Sequence, residues 1–491
     1  MSNLTALPHL KLFPRSPAVH GDAEFGLIES AAGPQLAVLT GKGSSTLRQF
    51  EGERSFLDGE LLLLGPLSPW NAAELRRQLP WLKPRVLGLH TSAGLGDRLG
   101  LATPGHVRAV RAAGNIAPIF AQQSIREMTR TGRTPQQVMD DATWGVFQEG
   151  WQRGMGADAD RLKTTADIDA CAAAGFTFFT IDPGEYVNNT AETATLPDLR
   201  QAAEQLPSEQ QPLATGLLNR EFSIEGYHFH FDEPTLLKAV VKYGRAVAHV
   251  AHLYQHLIAV IAPDRCELEV SVGETDQPTS YAEHIYIASE LRRQGVRWVS
   301  LAPRYIGRFE KGVDYIGDVA AFEKDIAVHA AIARVLGPYK LSLHLGSDKF
   351  SIYPAAMRQT RGLVHLKTAG TSYLEALRTI AAVDAVLFRK IYTFARERYD
   401  TDKASYHVSA EVSRTPLPED ISDAELPRLL EQFDVREVLH VTFGSVLTER
   451  SADGQRRFYD RLISLLRANP EAYAADLEKH FARHLQPFTL H

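Results

Sequence analysis

The chain has 491 residues, 44% hydrophobic and 23% charged, with 53 Lys plus Arg against 59 Asp plus Glu and a formal net charge of −6. This is the balance of an ordinary globular protein with a sizeable core, which excludes a disordered or fibrous chain and argues against a nucleic-acid partner. Two cysteines, Cys171 and Cys266, are too few for a disulfide framework or a four-thiolate zinc site. No run approaches the ~18 apolar residues of a membrane span and Met1 to Ser16 carries no secretory pattern, so a cytoplasmic location without membrane contact is expected.

The first 80 residues carry short apolar runs (25–28, 36–39, 61–64) separated by Gly, Pro and Ser, the pattern of antiparallel strands and turns. Residues 1–82 are therefore expected to form a β-rich subdomain. From about residue 84 the rhythm becomes short β-rich runs alternating with helix-period stretches. Eight strands are expected in order: Val86 to His90, Ile116 to Gln122, Phe176 to Asp182, Glu267 to Val272, Trp298 to Ala302, Leu341 to Leu345, Leu363 to Lys367 and Val438 to Phe443. Helical patterns lie between them, for example at 136–151, 234–261, 281–293, 319–335 and 373–399. Eight β-α units in series predict an α/β fold, a (β/α)8 TIM barrel over 83–491, in preference to an open doubly wound sheet. Residues 183–232 read as a long insertion after the third barrel strand, over the catalytic face.

Barrel enzymes place their chemistry at the carboxyl ends of the strands, and inward residues alternate with those facing the helices. In the run 267–272, Leu268, Val270 and Val272 must face the helices, which turns Glu267, Glu269 and Ser271 inward. The same rule sends in His344, His365 and Lys367, while Asp182 and His90 close their strands. Ionised carboxylates in a barrel interior demand a cation or a shared proton. Carboxylate plus imidazole at strand ends is the ligand set of a divalent metal such as Zn, Mn or Ni, with Glu269, Asp182 and His344 as its members. Asp182, which precedes Pro183, can equally cap a turn.

In the insertion, residues 227–232 place His228 and His230 on one side of a strand, a second metal-ligand geometry or a plain aromatic strand, with Asp232 capping the next helix. The loops Gly346-Ser347-Asp348-Lys349 and Thr368 to Ser372 each lead into a helix N-terminus suited to an anion. Ser347, Asp348, Lys349 and Thr368 are thus candidate substrate contacts, with His90 and, in the glycine-spaced loop 94–100, Arg98. That loop misses the dinucleotide spacing by one residue.

The runs His90 to Gly100, Phe120 to Arg126, Leu343 to Lys349 and Val364 to Thr368 resemble the tagaturonate epimerase family, bacterial enzymes that interconvert D-tagaturonate and D-fructuronate. The resemblance extends over most of the chain and implies a metal-dependent sugar-acid epimerase of hexuronate catabolism. The two keto-acids differ at the carbon β to the ketone, whose hydrogen that carbonyl does not acidify. Inversion there requires transient oxidation or retro-aldol cleavage and re-addition, and no convincing nicotinamide motif is present. Retro-aldol chemistry needs a Lewis acid for the enediolate and a base, for which Glu267, Lys367 and Asp182 are the candidates. Lys367 has further roles open to it, a Schiff base with the ketone or a cation paired with Glu267, with Glu269 or with the substrate carboxylate. Gln122, Gln123, Ser124 and Arg126 would orient hydroxyls or the carboxylate. A ketose isomerase or aldolase on a related sugar acid, and a sugar-acid sensor without turnover, are the alternatives. Subunit number is open, a homo-oligomer included.

Overall fold

The computed structural model describes residues 4–7, 10–30, 33–57, 60–368 and 370–489. Eight parallel strands form a closed barrel: β1 (Ser92–Gly94), β2 (Ala117–Ser124), β3 (Gly156–Leu162), β4 (Phe178–Ile181), β5 (Glu267–Ser271), β6 (Ser300–Ala302), β7 (Lys340–Leu343) and β8 (Val364–Lys367), with β8 paired to β1. Helices cover the outside, among them Thr103–Ala113, Glu233–Val260, Tyr281–Arg293, Val319–Leu336 and Thr371–Val383. Strands buried on both faces explain the apolar residues at alternate positions: Leu268, Val270, Leu341, Leu343, Val364 and Leu366 pack on the helices, which leaves polar side chains to fill the interior.

Ahead of the barrel, residues 11–65 form a six-stranded antiparallel sheet, followed by helix Pro69–Gln78. Its Phe25, Val38 and Leu63 belong to the same apolar cluster as the barrel helices.

Two expected strands differ and one strand was not expected, each for a local reason. Residues 86–90 are turn and coil, with Val86 and Leu89 more than a third exposed and Gly88 at φ +59°, and the first barrel strand begins at Ser92 instead. The apolar run 438–443 spans the end of helix Phe433–Val441 and the start of helix Phe443–Thr448, since periodicity cannot separate a short buried helix from a buried strand. The strand missed is β3, Gly-Ala-Asp-Ala-Asp-Arg-Leu, whose small and acidic residues carry little strand propensity.

The insertion therefore follows the fourth barrel strand, not the third, and its first residues meet the mouth loop, where the Asp276 N–H donates to Asn189 Oδ1. Its helix Leu196–Glu204 packs Leu199 and Ala203 on Leu237 and Val241 of helix Glu233–Val260. The hairpin Glu221–Ile224/Tyr227–His230 runs along the outer helices, with the Phe229 ring against Tyr281 and Glu225 ion-paired to Arg334.

Candidate active site

The centre of the barrel interior is an ammonium among carboxylates. Lys367, at the end of β8, places Nζ 2.9 Å from Asp158 Oδ2, 2.8 Å from Asp160 Oδ1 and 3.1 Å from Glu269 Oε1, and donates to Thr180 Oγ1 at 2.6 Å. Burial opposes its charge, but the three carboxylates outweigh burial and hold the pKa above the ordinary lysine value. Glu269 answers this: burial disfavours its ionisation, yet Lys367 and His344 keep it well below the usual carboxylate range. Asp160 is likewise lowered by Lys367, whereas burial lifts Asp158 to about 7. His344 stands beside them, Nδ1 3.3 Å from Glu269 Oε1 and Nε2 3.5 Å from Asp160 Oδ1. Glu269 Oε2 and both side-chain polar atoms of Gln122 are buried without a hydrogen-bond partner.

Above this cluster the cavity opens toward the carboxyl ends of β5, β6 and β7, with a volume of about 480 Å³. Arg161, at φ +58° where β3 leaves the barrel, reaches Asp182 Oδ2 at 3.3 Å and pairs with Glu274. Burial and the adjacent Glu274 push Asp182 up, partly offset by Arg161. Glu274 is held at about 2, because Arg161 and then Arg126 overcome its burial. Tyr406 and His407 approach from the C-terminal segment, and Lys311 from the loop after β6.

The expected site residues divide between this mouth and other places. His344, Lys367, Ser124, Arg126 and Arg98 line it, Glu269 is buried against Lys367 and His344, and Asp182 is paired with Arg161. Ser124 also caps helix Ile125–Thr131 in a reciprocal box with Glu127. Glu267 lies at the opposite, amino end of β5, where its carboxylate accepts the backbone N–H groups of Leu87 and Gly88 and closes the barrel floor. His90 is exposed on the same side, ahead of β1. His228 and His230 are exposed on the outer hairpin, where His230 faces Glu221 at 4.0 Å. Gln123 points out of the barrel to Arg133, and Thr368 donates to the Gly94 carbonyl. Arg98 pairs with Glu127 at 2.6 Å and stacks over Phe443.

The expected anion loop 346–349 is closed. Lys349 Nζ donates to the carbonyls of Glu310, Val313 and Ser347, which uses all three of its protons. Ser347 is buried beside it. Asp348, at φ +61°, accepts from Arg436 at 2.9 Å, Thr371 at 2.8 Å and His480 at 2.8 Å, and its own N–H donates to His484 Nε2. Asp348, His480 and His484 have ligand atoms within 4.8 Å of one another. They do not make a good metal centre: the Arg436 guanidinium already occupies Asp348 Oδ1, and the nearest His484 nitrogen already accepts the Asp348 N–H. The cluster instead ties the loop after β7 to helix Pro470–Leu485. In the second loop, Ala369 lies outside the described residues.

Asp158, Asp160 and Arg161 escaped the sequence reading with β3, although Ala157-Asp158-Ala159-Asp160 carries the period-two signal. Glu274 and Lys311 stand on irregular loops, where no periodicity announces them.

A closed parallel barrel with an acid–base cluster beneath a polar cavity at its carboxyl end defines a barrel enzyme acting on a small polar molecule. The tagaturonate epimerase family model matches residues 13–488. The tagaturonate/fructuronate epimerase of Thermotoga maritima is 44% identical over 461 residues, which span 94% of this chain and 93% of that protein. The native crystal structure of the fructuronate-tagaturonate epimerase UxaE from Cohnella laeviribosi superposes with a TM-score of 0.92 at 38% identity, over 98% of this chain and 97% of that one. A glycerol complex of the same enzyme gives 0.92 at 37%, over 99% and 97%. The chain belongs to the tagaturonate epimerase family, and it is an isomerase of the epimerase type.

Proposed function

We propose that this epimerase interconverts D-tagaturonate and D-fructuronate by retro-aldol cleavage and re-addition. The observation that carries the reading is the Lys367–Glu269–His344–Asp160 cluster under a polar cavity, in a chain 44% identical to an enzyme of that name. The carbon to be inverted is β to the ketone, so its hydroxyl, not its hydrogen, must give up the proton. Asp182, at the end of β4 with its pKa raised, is the base for that hydroxyl. As the proton moves to Asp182, the bond between the α and β carbons breaks, the β carbon becomes an aldehyde, and the electron pair passes through the α carbon to the ketone oxygen. The aldehyde turns its other face, the α carbon re-adds to it, and Asp182 returns the proton to the alkoxide.

Lys367 acts as a fixed cation in this scheme. Held by three carboxylates, it is neither a free amine for an imine nor a base, and its field favours the negative charge developing at the ketone. Glu267 on the barrel floor is out of reach and is not the base.

The mouth residues fit a divalent cation in type: Glu269 Oε2 lacks a partner, and His344 stands between Glu269 and Asp160. Glu269, His344 and Asp160 would hold it, with Asp182 set apart by Arg161. When bound, such an ion of the Zn, Mn or Ni kind supplies Lewis-acid stabilisation of an enediolate.

The test is incubation of the purified chain with D-tagaturonate, with and without a chelator, followed by chromatography. D-fructuronate is expected, lost on chelation and regained with a divalent metal. Substrate deuterated at the β carbon should keep its label, since that C–H bond never breaks, and label lost to solvent would sink the retro-aldol route. An aldose product would mark an isomerase, and two fragments an aldolase.

A further inference from the structure

Most cations around the mouth are already spent on protein carboxylates. Arg98 pairs with Glu127, Arg161 with Asp182 and Glu274, and Lys367 with Asp158, Asp160 and Glu269. Arg126 and Lys311 differ. Among the described residues neither has a carboxylate within 4.0 Å or a side-chain hydrogen bond, and both line a small pocket beside Asp160 and Lys367 that shares Arg126, Arg161 and His344 with the wider cavity. Arg126 also lines the wider outer part, so it stands where the two meet. Its other neighbour is the Tyr406 ring, 5.3 Å from the guanidinium carbon, which leaves the guanidinium's in-plane donors free.

The fold has gathered like charges here. Burial, and then the neighbouring Arg161, lower the pKa of both groups. Such an arrangement is unfavourable in the empty protein and is relieved by an anion of about carboxylate size, which a planar guanidinium can bind with two parallel hydrogen bonds. Ser271, Thr275 and Asp276 line the wider part of the cavity, hydroxyls and an acceptor that suit a polyol, while Glu274 stands near Arg126 and is ion-paired to Arg161.

We propose that Arg126 and Lys311 form the seat of the substrate's carboxylate and thereby make this a sugar-acid epimerase rather than a ketohexose epimerase. The proposal rests on the epimerase reading above and adds a direction to it. The acid end lies at β2 and the loop after β6, and the chain of hydroxyls runs toward β5. Arg304, also lining the cavity, is a third cation without an ion pair among the described residues, and it is the natural rival.

The experiment uses the full-length protein and its variants Arg126→Met, Lys311→Met and Arg304→Met. Calorimetric binding of D-fructuronate is measured beside kcat/KM on D-tagaturonate and on the neutral ketose D-tagatose. Arg126→Met and Lys311→Met should each weaken hexuronate binding and kcat/KM by roughly 10²-fold, as expected where a site loses a charged hydrogen bond to its ligand. Turnover of D-tagatose, and Arg304→Met on either substrate, should stay within about 3-fold of the parent in the same frame. If Arg126→Met does not fold, Arg126→Lys, which keeps the charge and loses the fork, should still cost about 10-fold in hexuronate affinity. Unchanged hexuronate affinity in both Arg126 and Lys311 variants, a loss seen in Arg304→Met instead, or equal losses on acid and neutral sugar would each overturn the proposal. A parent protein that binds D-fructuronate without converting it would fail the epimerase reading while the seat is still judged by binding. A parent protein that binds no hexuronate overturns both.

Discussion

Two clusters in this molecule are built from the same residue types and behave in opposite ways. At the barrel mouth, Glu269, Asp160 and His344 surround Lys367, a carboxylate oxygen is left without a donor, and a cavity opens above. A short distance along the chain, Asp348, His480 and His484 bring their ligand atoms closer together, yet Arg436, Thr371 and the Asp348 N–H use up their capacity. Ligand-type residues at ligand-type distances are therefore not a site. What distinguishes the mouth is leftover bonding capacity close beneath a cavity, since a buried polar group without a partner is costly and persists where a ligand supplies one.

The sharpest way to break this comparison is Lys367→Met. It leaves three buried carboxylates without their cation, so we expect a loss of ~3–5 kcal/mol in stability, read by denaturant unfolding. Activity should fall below detection, and borohydride added during turnover by the parent enzyme should trap no covalent adduct, since the lysine is a cation and forms no imine. Next is Asp182→Asn. With the base removed, kcat should drop by ~10²–10⁴ while the protein melts near its parent temperature. The parent's pH profile carries a sign: the base must be ionised, so kcat/KM falls as pH drops. The acid limb should lie above the ordinary aspartate range because burial and Glu274 raise Asp182. A limb near pH 4 would move the role elsewhere.

The metal question tests the two clusters against each other. Glu269→Gln should lower metal content and affinity by at least ~10-fold with loss of activity. His480→Ala should leave metal content unchanged and cost ~1–3 kcal/mol of stability, because Asp348 loses a donor. The opposite pattern, metal lost with His480 and kept with Glu269→Gln, would exchange the roles of the clusters.

The inward side chains of β5, β7 and β8 were legible in the sequence because a strand buried on its outer face must alternate, and Leu268/Val270, Leu341/Leu343 and Val364/Leu366 fix the register. Alternation does not tell which end of a strand a residue occupies once the boundaries slip. Glu267 and Glu269 look equivalent in sequence, yet one closes the floor and the other faces the chemistry. β3 was illegible for a related reason: its outward positions are Ala157 and Ala159, too small to mark a core face, so Asp158 and Asp160 read as loop. Lys311 and Arg126 face one another only through long-range closure of the barrel, which no local pattern encodes.

The smallest effect expected concerns the segment that carries Tyr406 and His407 to the cavity. Just beyond it, Ser409 donates its N–H and hydroxyl to Glu310 at 2.9 and 2.6 Å, and the Ala410 N–H donates to Glu437 at 2.9 Å. Burial, together with the neighbouring Glu310, lifts Glu437 to about 8, so the pair shares a proton at neutral pH. A carboxyl whose folded pKa is raised binds its proton more tightly in the native state. Its contribution is therefore complete below the unfolded value of about 4.3 and declines as pH rises toward 8. Glu437→Gln, which keeps the neutral shape, should remove that decline, flattening stability across the window by on the order of 1–3 kcal/mol. Activity at pH 6 should be untouched, because the segment keeps its place. A stability slope that survives the substitution would show that the proton resides elsewhere, and that the segment is pinned at the mouth by Glu310 alone.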